Sequence, residues 1–404
     1  MNFTHLDRFL QEHADRLGIP GLSCAVMKDG KLVYQTFQGA ADLESGRPIR
    51  EDTVFRIYSM TKPFTVVAAL QLYEQGKFDL QDPISNFLPE FKETKVFRMG
   101  PSGVITTPPS RPVRFLDLLT CTSGWSYYAY KGSSVTSSNN ASTLAQGSTL
   151  TAAALSDAMY ELELRRPNKT FTNREFARTI AGVPLAFEPG SHWMYGMSFD
   201  VLGAVIEEIA GMTLDEYCRK YICTPLGLKD TGYHLTPDRE ARLCSYYNIS
   251  DPAKPVKFTT KDDYYQPEAK FERGGGGMLS TLPDYMTFAD TLRRGGTSAD
   301  GARILGRKTV DLMRANHLGP AQMADINWPS LAGYGYGFGV RTLVDPTRGG
   351  INSSMGEYGW SGSAGTWMAI DPKEELTVCL MKQTYPAWEG WIIPRFRAAL
   401  WGSL

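Results

Sequence analysis

Ser59 and Lys62 are the residues whose types and spacing point most directly to chemistry. A serine hydroxyl is a poor nucleophile until a neighbouring base takes its proton, and a lysine amine can be that base once burial or nearby positive charge lowers its pKa. The two lie in the run Thr53-Val-Phe-Arg-Ile-Tyr-Ser-Met-Thr-Lys-Pro-Phe64, an extended stretch that passes into a helix ending near Gly76. Proline is tolerated only in the first turn of a helix, so Pro63 fixes the helix start close to Ser59. Residues three apart share a helix face, which places the Lys62 amine beside the Ser59 hydroxyl, and the unpaired first-turn amides are free to bind an oxyanion. The spacing by itself is weak evidence, since Ser-x-x-Lys arises by chance about once in a chain of this size. An N-cap serine beside a solvated lysine fits it equally well.

Other catalytic arrangements fit less well. The nucleophile elbow Gly-x-Ser-x-Gly is absent, and its nearest approach, Ser361-Gly-Ser363-Ala-Gly365, lacks the first glycine. His5, His13, His192, His234 and His317 form no His-Glu-x-x-His pattern, and Cys218 with Cys223 has neither zinc-type spacing nor a second pair. No metal or other cofactor is expected. His192, three residues before Tyr195, is the one histidine to place near the site, at its rim. Cys24, Cys121, Cys218, Cys223, Cys244 and Cys379 are too scattered for a disulfide framework and read as reduced thiols.

The elements that must position Ser59 come from patterning. Phe3, Leu6, Phe9, Leu10 and Leu17 recur at helical spacing, and the acidic opposite face favours core packing over a membrane surface. Gly21 to Val26 and Lys31 to Phe37 read as a hairpin about Asp29-Gly30. Gly365 to Asp371 and Leu376 to Lys382 read as strands separated by Pro372, followed by a closing helix from Trp391 to Leu400. The two ends are therefore expected to share one antiparallel sheet. Between them, helical patterns cover Arg114 to Thr120, Thr151 to Leu164, Phe199 to Ala210 and Leu214 to Tyr221, and another runs from Leu282 to Leu292. Lys131 to Ser148, rich in Ser, Thr, Asn and Gly, reads as a mobile loop bordering the substrate entrance, and Gly274 to Gly277 as a structural turn.

A chain of 404 residues is long enough for two packed units. Its 42 basic and 43 acidic residues leave no global field for nucleic acid or an anionic membrane, so a small or neutral partner fits better. Neither a signal peptide nor an apolar run of about 18 residues is present, which gives a cytoplasmic expectation.

Five separated segments together resemble the serine β-lactamase-like hydrolases, a family that includes class C β-lactamases, penicillin-recognising D-peptidases and the family VIII carboxylesterases. They are Phe55-Arg-Ile-Tyr-Ser-Met-Thr-Lys62, Leu118-Leu-Thr-Cys-Thr-Ser-Gly124, Glu188-Pro-Gly-Ser-His-Trp-Met-Tyr195, Gly274-Gly-Gly-Gly-Met-Leu-Ser-Thr281 and Trp360-Ser-Gly-Ser-Ala-Gly-Thr366, in family order. The resemblance implies an α/β (α+β) fold: an antiparallel sheet flanked by helices, formed by residues 1–85 and 240–404, with a mainly helical domain of residues 86–239 inserted and the active site in the cleft between them.

By the same resemblance Tyr195 joins Lys62 as general base and acid, and a phenolate beside an ammonium would let the pair relay the Ser59 proton to the leaving group. The amides of Ser59 and Ser363 form the oxyanion hole. Trp360-Ser361-Gly362 looks like the esterase variant of the motif that is Lys-Thr-Gly in lactamases. Trp360 thus replaces a cation suited to a substrate carboxylate with a flat apolar wall. Met197 stands where lactamases usually carry asparagine, and a thioether cannot donate a hydrogen bond to a substrate amide. Trp125, Tyr127, Tyr128 and Trp193 are candidates for an aromatic pocket, although core packing also explains each. The reading is a serine carboxylesterase acting on small neutral acyl esters. A lactamase or D-peptidase, an acyltransferase sharing the acyl-enzyme, and a non-catalytic ligand-binding relative are the alternatives.

Overall fold

The computed structural model describes residues 1–127, 145–258 and 264–404. Tyr128 and most of the Lys131 to Ser148 run lie outside the described residues. The final residues of that run open a helix, α4 (Ala145–Arg165), which starts six residues before the expected Thr151. Gly147 permits this early start: a Cβ there would stand 2.4 Å from the Ala186 carbonyl oxygen.

The sheet has eight antiparallel strands. In chain order they are β1 (Gly21–Lys28), β2 (Lys31–Asp42), β3 (Arg47–Pro48), β4 (Tyr334–Tyr336), β5 (Arg341–Leu343), β6 (Tyr358–Ser361), β7 (Trp367–Asp371) and β8 (Leu376–Lys382), and across the sheet they run β4-β5-β6-β7-β8-β1-β2-β3. The chain ends meet at the β8/β1 pair, where Leu22 faces Lys382 and Lys28 faces Leu376. Asp29 and Gly30 turn the first hairpin with φ of 52° and 73°, the double left-handed geometry that a twisted two-residue hairpin requires. β7 begins two residues later than expected, because Gly365 has φ 93° and belongs to a turn.

Strand periodicity divides the sheet's side chains between two apolar layers. Cys24, Val26, Val378 and Leu380 face the first helix, α1 (Thr4–Leu17), and the C-terminal helix Glu389–Trp401, in a cluster with Leu6, Leu10, Ile392, Phe396 and Leu400. Ala25, Cys379 and Met381 face the other way, into the main core. Each fully buried large apolar side chain contributes roughly 1.5–3 kcal/mol. All six cysteines are buried and free.

The helix after Ser59, α2 (Lys62–Glu74), lies inside this main core. Ten of its residues, from Lys62 through Leu72, are buried, so it is covered on all sides rather than along one stripe. α6 (Ser198–Ala210) and α7 (Leu214–Cys218) pack against it, α3 (Phe115–Leu119) and α5 (Asn173–Ala181) pack on α6, and α4 packs on α5. The sequence reading did not include α5, although Thr172 and Glu175 form a capping box at its start.

β6, the strand that carries Trp360, is anchored by a buried ionic network. Glu357 accepts hydrogen bonds from Arg397 at 2.7 Å, from Tyr334 at 2.6 Å and from Arg341 at 3.2 Å, joining β4, β5 and the C-terminal helix. Burial alone would raise the Glu357 pKa, but Arg397 and Arg341 outweigh it and hold the carboxyl below its ordinary value. Its stabilising contribution is therefore complete above the unfolded value of 4.5 and is lost as the pH falls through the lower folded value. Glu357→Gln would leave two buried cations without their anion, and is expected to cost about 3–5 kcal/mol in denaturant unfolding at neutral pH.

Candidate active site

Ser59 sits in a single 3₁₀ turn, Tyr58–Thr61, that runs directly into α2. Thr61 precedes the α-helix without a capping side-chain bond, its hydroxyl accepting the Met278 N–H instead, and Pro63 occupies the first turn, as the sequence requires. Tyr58, immediately before the serine, has φ 44°, a left-handed conformation unusual for a bulky side chain. The tight turn leaves the serine half-buried and puts the lysine wholly inside.

Lys62 Nζ reaches three oxygens: Ser59 Oγ at 3.1 Å, Tyr127 Oη at 3.2 Å and the Gly275 carbonyl at 2.6 Å. It also lies 4.5 Å from the centre of the Tyr195 ring. Burial lowers the Lys62 pKa from 10.5 to about 7; Asp200 opposes that shift and Arg273 adds to it. At neutral pH a large fraction of the amine is therefore unprotonated, the condition for accepting the Ser59 proton.

Tyr195 stands beside this pair. Its hydroxyl accepts the Trp360 indole N–H at 2.9 Å, and Ser59 lies close enough to bear on its titration. Burial nevertheless raises the Tyr195 pKa above the ordinary phenol value, and the Ser59 and Trp360 contacts only partly offset it. Desolvation thus favours the neutral phenol at Tyr195 and the neutral amine at Lys62.

The turn after β6 is fastened to the segment leading to Ser59. Thr366 Oγ1 donates to the Ile57 carbonyl at 3.3 Å, and Gly362 N–H donates to the Thr366 carbonyl at 2.7 Å. A Cβ on Gly362 would stand 2.4 Å from the Ile57 oxygen, so this close approach needs glycine. Ser361 is half-buried, and Ser363 is exposed at the tip of the turn. Beneath the turn lies a second buried lysine, Lys382, whose Nζ donates to Thr384 Oγ1 at 2.9 Å and to the Ala387 carbonyl at 2.7 Å.

The proposed pocket residues separate into two groups. Tyr127, Trp193 and Trp360 join Tyr195 in an aromatic cluster completed by Trp328 and Tyr336. Ring centres lie 5.3 Å apart for Tyr195 with Trp328 and 5.2 Å for Tyr336 with Trp360. Tyr127 also contacts Lys62 directly, a closer role than a pocket wall. Trp125 and Met197 form the second group, buried in the same main core as Trp193 and Trp360. The Trp125 indole donates to the Val183 carbonyl and packs edge-on against Phe91, while Met197 is wholly buried at the start of α6. His192 is partly exposed and bonded to Asp325 at 3.1 Å, and Asp325 also accepts the Trp193 amide.

Trp328, Tyr336 and the Gly275 carbonyl were not recognised in the sequence. The two aromatics carry no local motif. The four glycines do form a turn, yet its backbone serves the site: the Gly274 carbonyl accepts Thr65 Oγ1 at 2.7 Å and the next carbonyl accepts Lys62. Among the described residues, no group of three or more His, Cys, Asp or Glu side chains could hold a metal ion, and no helix is long and apolar enough to cross a membrane.

The Beta-lactamase family model matches residues 6–391. The chain belongs to the Beta-lactamase family. Within that family it is similar to Esterase EstB of Burkholderia gladioli, at 30% identity over 403 residues covering 96% of this chain and 91% of that one. It is also similar to the lovastatin esterase of Penicillium rubens, 28% identical over 378 residues and covering 87% and 86% of the two chains. Among solved structures it resembles EstCE1, described as a hydrolase with promiscuous acyltransferase activity, with a TM-score of 0.77, 25% identity and 98% of each chain covered. The chain is accordingly a serine hydrolase of the Beta-lactamase family with a β-lactamase-like fold.

The glycine turn yields a direct test. A Cβ on Gly274 would fall 2.2 Å from the Phe199 carbonyl oxygen, which belongs to the backbone and cannot swing aside. Gly274→Ala is expected to cost about 1–3 kcal/mol in stability, read from the denaturant midpoint, and to lower ester turnover by moving the carbonyl that holds Lys62.

Proposed function

We propose that this serine hydrolase is a carboxylesterase for small neutral acyl esters, working through a Ser59 acyl-enzyme. The observation that carries the reading is the buried Lys62 amine, with a pKa near 7 and a 3.1 Å contact to Ser59 Oγ. The cleft lies between a sheet unit, residues 1–85 with 240–404, and an inserted helical unit, residues 86–239.

In acylation, Lys62 Nζ takes the Ser59 proton as Oγ forms a bond to the ester carbonyl carbon. The negative charge moves to the carbonyl oxygen, held by the amides of Ser59 and Ser363. When the tetrahedral intermediate collapses, the carbon–oxygen bond to the alcohol breaks. The Tyr195 phenol passes its proton to the departing alkoxide and is reprotonated from Lys62. Water then attacks the acyl carbon, the pair accepts its proton, and Ser59 leaves protonated with release of the acid.

Substrate neutrality is argued from Trp360. Its ring forms an apolar wall, and its N–H is already engaged by Tyr195, so this position supplies no cation for a substrate carboxylate. The two similar proteins named as esterases support the same class. Acyl transfer is a second reading, favoured by the description of EstCE1, because an alcohol in place of water would complete the same cycle.

A short-chain p-nitrophenyl ester and a chromogenic cephalosporin, assayed side by side, distinguish these readings from a lactamase. Wild type is expected to cleave the ester efficiently and the cephalosporin poorly, whereas the opposite preference would overturn the esterase reading. Tyr195→Phe is expected to lower kcat by roughly 10²–10⁴-fold, the usual worth of a general acid–base group. The wild-type kcat/KM should fall on the acid side about a pKa near 7, as Lys62 gains its proton. Added alcohols that compete with water would divert the acyl group to new esters if transfer is substantial.

A further inference from the structure

Behind the Gly274–Gly277 turn lies an ion pair, a buried carboxylate with a partly exposed arginine, that the steps above do not use. Asp200, in the first turn of α6, is fully buried and accepts the Gly275 N–H at 3.2 Å. Arg273 Nε stands 3.4 Å from the same carboxylate oxygen, and the other oxygen of Asp200 is buried without a hydrogen-bond partner. One peptide unit away, the Gly275 carbonyl accepts Lys62 Nζ at 2.6 Å. A Cβ on Gly275 would come within 2.7 Å of Asp200, so the carboxylate and this backbone are packed as closely as glycine allows.

We propose that Asp200 and Arg273 are positioning residues for the base: Asp200 holds the Gly275 carbonyl against Lys62, and Arg273 balances the carboxylate's charge so that Lys62 can release its proton. This inference rests on Lys62 acting as the base. A buried carboxylate left alone near an amine would favour the ammonium and keep the base charged. A buried cation left alone would have the opposite effect. The pair supplies both charges, and each acts on Lys62 in the direction expected of its sign.

The remaining groups facing Lys62 are accounted for. Ser59 belongs to its own turn, Tyr127 and Cys121 come from the segment after α3, and Tyr195 precedes α6. Burial holds the Cys121 thiol, the Tyr127 phenol and the Tyr195 phenol in their neutral forms. Among the described residues, Asp200 and Arg273 are then the two full charges that bear on the amine. Asp200 lies in the first turn of α6, a helix end that favours an anion.

The test is the acid limb of kcat/KM for p-nitrophenyl acetate, measured with Asp200→Asn, Arg273→Gln and Arg273→Lys, together with the ζ-nitrogen titration of Lys62 in ¹⁵N-lysine-labelled protein. Asp200→Asn is expected to move both the limb and the titration down by about one pH unit, and Arg273→Gln to move both up by about one. Arg273→Lys keeps the charge and should leave them in place. A role confined to structure would lower stability or rate without shifting the limb in opposite directions. Titrations that stay fixed, or move the same way in both charge-removing variants, would overturn the proposal. If Asp200→Asn does not fold, the comparison of Arg273→Gln with Arg273→Lys decides alone. If the Lys62 titration shifts as stated while the activity limb does not, the ion pair stands and the assignment of Lys62 as base fails.

Discussion

An ammonium group withdrawn from water must be paired, solvated by fixed dipoles or deprotonated, because the effective cost of burying an unpaired ion is several kcal/mol. Lys62 is fully buried, and the contacts around its nitrogen are a serine hydroxyl, a phenol and a peptide carbonyl rather than a carboxylate in direct contact. Desolvation therefore brings the amine close to neutrality at physiological pH. The rest of the site depends on that desolvation. A solvated lysine at the same sequence spacing would stay charged and could not serve as the base proposed for Ser59.

The scaffold keeps Lys62 enclosed and brings its partners to it. α2 is buried on every side, so the lysine in its first turn cannot reach solvent. The glycine turn brings a carbonyl up from one direction, and the segment carrying Tyr127 closes another. From the sheet, β6 delivers Trp360 to the Tyr195 hydroxyl, while Thr366 and Gly362 clamp the following turn to Ile57. The Glu357 network far from the chemistry thereby acts on it, since it fixes β6 against β4, β5 and the C-terminal helix.

The sheet ends, the first hairpin and the helix after Ser59 were legible because local chemistry dictates them: alternating apolar residues, Asp29-Gly30, and Pro63 in a first helical turn. Ser59, Lys62 and Tyr195 could be named from motif order, and the structure brings them together. Two kinds of information were not local. Which aromatics gather around Tyr195 depends on tertiary packing, which is why Trp328 and Tyr336 went unnoticed. The protonation of Tyr195 depends on desolvation, which spacing does not encode: burial pushes the phenol above its ordinary value. Asp200 offered only an acidic residue near a helix start, a common feature whose proximity to Lys62 arises from folding.

The claim that Ser59 is the nucleophile can be tested on the covalent species itself. Rapid acid quench of the enzyme during turnover of an activated ester, followed by intact-mass and peptide-mapping mass spectrometry, should show one acyl group per chain, located on Ser59. The adduct should be absent from Ser59→Ala. Steady ester hydrolysis with the acyl group on another residue, or undiminished turnover and labelling in Ser59→Ala, would contradict the account.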